Sequence, residues 1–93
     1  MVNKKIINIR KQLDKLDNAF LSLIKKRTNL VNQVILNKKF KKDIIDRKRI
    51  NKILQNISKK SKKKKIDPKI TQKIWSSMIR AFIDYEFRNF KKK

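Results

Sequence analysis

Three cations occupy helix positions that the surrounding pattern reserves for apolar side chains. With successive residues about 100° apart, Phe20, Leu23, Ile24, Leu30, Val31 and Val34 all fall within about 60° of Arg27. Arg27 is thus at the centre of an apolar stripe. Lys38 follows nearly eclipsed with it, with Val31 and Val34 beneath. Arg10 lies in the same broad stripe beside Ile6, Leu13 and Asp17, nearer its edge. Such side chains either snorkel to water or meet an anion. With 29 Lys+Arg against 7 Asp+Glu, anions are scarce in this chain. A small anionic ligand is the natural counter-charge.

Glu86 is the converse case. It is the only Glu, and it falls on the apolar face that carries Trp75, Ile79 and Phe82. A lone carboxylate in an apolar wall is either half of a salt bridge, to Arg27 or Lys38, or a functional group. Helical rise constrains what these residues can share. Arg10 and Arg27 are about 25 Å apart along one helix, too far for one small ligand, whereas Arg27 and Lys38 are about 16 Å apart at the backbone. Two long side chains can close that second gap. If Arg10 serves the same pocket, it comes from a partner subunit.

Three helices position these groups. The first is predicted from about Asn3 to Lys39, uninterrupted by Gly or Pro, and a polar break around Phe40 follows it, Lys38 to Asp43. The second runs from about Ile45 to Lys60, with its stripe at Ile50, Ile53, Leu54 and Ile57. Ser58–Lys65 holds six Lys in eight residues and reads as a loop by charge repulsion. Asp67-Pro68 is a strong helix start, an N-cap followed by Pro at the first helical position, and the third helix runs to about Phe90. The tail Lys91–Lys93 is expected to fray. No strand signal or internal repeat is present. The predicted fold is all-α, a single domain over residues 1–93. A first helix of this length, about 55 Å, outruns the other two. Its uncovered apolar half therefore predicts a homodimer with the long helices packed together.

Composition narrows the chemistry. No Cys, His or Gly is present and only one Pro. That leaves no disulfide scaffold, Cys/His metal site, thiol nucleophile, His base or glycine-rich phosphate loop. Neither a cofactor nor a metal is expected. No apolar run approaches a membrane span and no signal-peptide apolar region is evident, which predicts a cytoplasmic protein without a membrane partner. The net charge of +22 raises the prospect of nucleic acid. However, the bias toward 23 Lys, 15 Ile and 9 Asn against 6 Arg and 2 Ala is what drift toward A/T-rich codons produces on solvated faces. A phosphate-binding protein would use Lys59–Lys65 and lose affinity steeply with salt. No basic region precedes a heptad zipper and no helix-turn-helix is evident, so nucleic acid is not the expected partner.

The run Ile9-Arg10-Lys11-Gln12-Leu13-Asp14-Lys15-Leu16-Asp17, then Leu21 to Arg27 and on through Val34 to Lys38, resembles the opening helix of the all-α AroQ class of chorismate mutases. Asp46-Arg47-Lys48-Arg49 is similar to that family's D-R-E-R segment, and Ile74-Trp75 through Glu86 to its last helix. The resemblance implies an intertwined helical homodimer that rearranges chorismate to prephenate, a pericyclic step of aromatic amino-acid biosynthesis needing no cofactor. It further implies that Arg10 (from the partner), Arg27 and Arg47 hold the two substrate carboxylates, since an arginine fork meets a carboxylate with paired hydrogen bonds. Lys38 and Glu86 would contact the ether oxygen, with Glu86 protonated in order to donate. Activity would then decline as pH rises and Glu86 ionises. The family's Glu that meets the ring hydroxyl is Lys48 here, a nearby acidic position is Ile44, and a last-helix Ser is Phe82. The stretch Ile79–Glu86 also resembles the isochorismate pyruvate lyases. Those usually carry Gln where this chain has Glu86, which favours the mutase.

Overall fold

The computed structural model describes residues 3–91, so the terminal pair of the predicted frayed tail lies outside the described residues. Three α-helices and one short 3-10 turn account for the secondary structure, and no strand occurs among the described residues. Helix α1 spans Lys4–Asn37, the 3-10 turn Lys41–Ile44, α2 Arg47–Lys63 and α3 Pro68–Asn89.

Side chains set most of the helix ends. At the end of α1, Asn37 Nδ2 donates to the Gln33 carbonyl one turn back at 2.8 Å. Asp46 caps α2, its Oδ1 accepting from the Arg49 N–H at 3.0 Å, so the helix begins two residues later than the apolar pattern suggested. Asp67 caps α3 by accepting from the Lys69 N–H at 2.9 Å, with Pro68 in the first turn as the dipeptide foretold.

The lysine-rich stretch corrects the sequence reading. Most of Ser58–Lys65 is not a loop, because α2 continues to Lys63. Its lysines are exposed and shed their repulsion into water, while cations in the last turn complement the negative end of the helix dipole. Ser61 supplies the anchor the charge count concealed. It is buried, donates to the Ile57 carbonyl at 2.6 Å and shares a 2.7 Å hydrogen bond with the hydroxyl of buried Thr71 on α3. Beyond Lys63 the chain closes in a Schellman arrangement, Ile66 N–H to the Ser61 carbonyl at 2.8 Å and Lys65 N–H to the Lys62 carbonyl at 3.2 Å. Lys65 accordingly adopts φ 59°, in the left-handed region.

The chain divides into two compact units, the first ending at Leu30 and the second beginning at Val31. The first is helical from Lys4, and its apolar stripe lies open: Leu16 is 65% exposed and Leu23 63%, with Ile6, Ile9, Leu13 and Phe20 also exposed. The second holds the end of α1, the 3-10 turn, α2 and α3. Within it α2 packs on α3 and the 3-10 turn packs on α3. Its most buried apolar residues are Ile44, 3% exposed, and Ile35, 8%. Gln72 Nε2 donates to the Leu54 carbonyl at 3.2 Å, tying α3 to α2. The Tyr85 hydroxyl donates to Asn32 Oδ1 at 2.7 Å, tying α3 to α1.

Candidate active site

Lys38 is the first residue past α1, its N–H still donating to the Val34 carbonyl at 3.0 Å. The end of the helix turns its side chain toward α3. There Nζ donates to Glu86 Oε1 at 3.1 Å, an ion pair whose side chains are 22% and 10% exposed respectively. A second donation runs from Nζ to the Ile44 carbonyl, the last residue of the 3-10 turn, at 3.3 Å. The inward placement of Glu86 among apolar residues, read from helical angles, is therefore what the fold produces. Lys38, one of the two salt-bridge partners considered for it, meets it directly.

Next to Glu86 the rotation of α3 is fixed by Tyr85, through the Asn32 contact. The Tyr85 ring also packs edge-on against Phe82, centroids 6.4 Å apart, and lies 6.0 Å from the Arg88 guanidinium.

Arg47 is the first residue of α2, placed by the Asp46 cap, and is exposed. It lines a cleft of about 540 Å³ between α2 and α3, walled mainly by Ile50, Leu54, Ile79 and Ile83, with Asn51 and Arg80 among its polar groups. Lys38 and Glu86 are not among the residues lining that cleft. Arg27 is half-buried and Arg10 exposed, both on the helical segment before Leu30. Of the five residues singled out by the sequence, then, Lys38 and Glu86 are in direct contact.

Two contributors carry no signal in their residue types. Ile44 acts through a backbone carbonyl, and its side chain is simply the most buried of the apolar set. Asn32 is an exposed residue of α1 and gains its role only from the approach of Tyr85. An aromatic hydroxyl adjacent to Glu86 on α3 is the clue that could have pointed to it.

Chemically, the arrangement offers a fixed ammonium, a shielded carboxyl and an arginine beside an apolar cleft. It holds no nucleophile of the Cys or His kind. This is a small, strongly cationic, all-helical protein with a shielded ion pair and an apolar cleft. The family model described as chorismate mutase type II matches residues 9–87, and the chain belongs to that family. It is accordingly an isomerase with chorismate mutase activity, the rearrangement of chorismate to prephenate. No curated protein and no solved structure shows a significant match to the chain. No described helix is long and apolar enough to cross a membrane.

Proposed function

We propose that the chain carries out this rearrangement as a cytoplasmic homodimer, each protomer a single helical domain, with Lys38 and Glu86 at the breaking C–O bond. The Lys38–Glu86 contact carries the reading: it brings a cation and a shielded carboxyl from distant parts of the sequence to one point. In the reaction one C–O bond breaks and one C–C bond forms within the same molecule. No proton, electron or leaving group passes to the protein. What the protein supplies is restraint of the reactive conformer and stabilisation of negative charge on the ether oxygen.

In this proposal Lys38 Nζ donates to that oxygen, and Glu86, protonated, donates to it as well. Without substrate Glu86 accepts from Lys38. Arg27 and Arg47 hold the carboxylates, and Arg10 reaches them from the partner subunit. The open apolar stripe of α1 supports the dimer, since Leu16, Leu23 and their neighbours are left in water within one protomer.

Purified protein given chorismate should consume it, seen as loss of its ultraviolet absorbance, and yield prephenate. Arg27→Ala, Lys38→Ala and Glu86→Ala should each abolish most of that turnover. Wild-type rates in Lys38→Ala and Glu86→Ala would sink the assignment of the site.

A further inference from the structure

The Lys38 ammonium has three N–H donors. One is committed to Glu86 Oε1 on α3 and another to the Ile44 carbonyl. Those two acceptors sit on elements that pack against each other, the 3-10 turn and α3. The turn is pinned by Ile44 itself, whose side chain is the most buried apolar group among the described residues. Two fixed acceptors define the direction of the remaining N–H. A group held in this way need not reorganise when charge develops beside it.

We infer that Ile44 is a positioning residue: its buried side chain anchors the turn so that its carbonyl, with Glu86, aims the third N–H of Lys38 at the reacting oxygen. The inference rests on Lys38 acting at that oxygen, as proposed above, and goes beyond it by assigning the linker a part in the rate.

The test is the full chain, assembled by ligation of synthetic segments, with the Ile44–Ile45 amide replaced by an ester. The ester carbonyl is a weaker acceptor, and every side chain stays in place. Turnover of chorismate should show kcat lowered about fivefold, with KM within about twofold of wild type. Ile44→Val, which keeps the turn buried, should stay near the wild-type kcat, whereas Ile44→Ala should lower kcat more than KM. A purely structural role would instead lower the active fraction and leave kcat per folded molecule unchanged. Unchanged kcat in the ester protein, where Lys38→Ala has lost turnover, overturns the inference. So does an Ile44 carbonyl ¹³C shift that is the same in wild type and Lys38→Ala. Full turnover in Lys38→Ala instead overturns the assignment of Lys38, and the role of Ile44 in the rate falls with it.

Discussion

Lys38 and Glu86, 48 positions apart in the chain, meet through a 3.1 Å hydrogen bond between Nζ and Oε1. Each is the unusual residue of its surroundings. Lys38 continues the apolar stripe of α1, and Glu86 is the single Glu, buried on α3. Their pairing meets the electrostatic cost of holding both away from water, and it leaves the ammonium with a donor to offer.

Removing either member should affect the rate more than the fold. Lys38→Ala is expected to lower kcat by about 10²–10³, the usual cost of losing a donor aimed at developing negative charge. Steady-state kinetics with a parallel circular-dichroism melt separates that loss from unfolding.

Glu86→Gln separates the need for a donor at this position from the need for a charge. The amide carries N–H donors at every pH, so Glu86→Gln should keep far more turnover than Glu86→Ala, which offers none. Equal losses in the two variants, read from steady-state kinetics, would show that no donor acts from position 86.

Subunit mixing tests where Arg10 acts. Arg10→Ala and Lys38→Ala homodimers should both be nearly inactive. If Arg10 serves the partner's site, unfolding and refolding them together at equal amounts makes mixed dimers with one intact site. Activity should return to about a quarter of wild type, since half the dimers are mixed and each carries one good site of two. No recovery would place Arg10 in the site of its own chain, or outside any site.

At the α2–α3 corner, Lys65 holds a left-handed conformation that residues other than Gly and Asn adopt at a cost. Lys65→Gly should stabilise the protein by about 1 kcal/mol in urea denaturation, because the strain relieved exceeds the flexibility gained by the unfolded chain. Lys65→Ala should bring no such gain.

The hydroxyl pair at the same corner should behave as a unit. Ser61→Ala or Thr71→Val alone leaves one buried hydroxyl without its 2.7 Å partner, and each should cost about 1–2 kcal/mol. The double variant should cost less than the sum of the two, a coupling readable in a double-mutant cycle.

How far the sequence discloses this arrangement depends on whether a feature is carried by local chemistry. Asp67-Pro68 announces the start of α3, because a cap and a fixed φ are properties of those residues alone. The angular position of Glu86 likewise follows from helical periodicity. Ser58–Lys65 misleads because repulsion among its lysines is visible in the sequence, while the Ser61–Thr71 bond that outweighs it depends on a residue of the next helix. Helix α2 begins at Arg47, two residues after the start expected near Ile45, because the Asp46 side chain caps it there. Ile44 is the least legible of all, since its contribution is a carbonyl that every residue possesses.

The sequence contains a single Trp and a single Tyr, and both Trp75 and Tyr85 stand on α3. Tryptophan and tyrosine emission therefore originates in the unit from Val31 onward, and the helical segment that ends at Leu30 carries neither ring. Far-ultraviolet ellipticity, in contrast, sums over every helix. A melt followed by both signals thus contains its own test of whether the two units lose structure together: superimposable curves mean one cooperative transition, and an ellipticity change that runs ahead of the emission change means the first unit unravels by itself. The distribution of aromatic rings has turned an ordinary pair of optical probes into a local and a global thermometer.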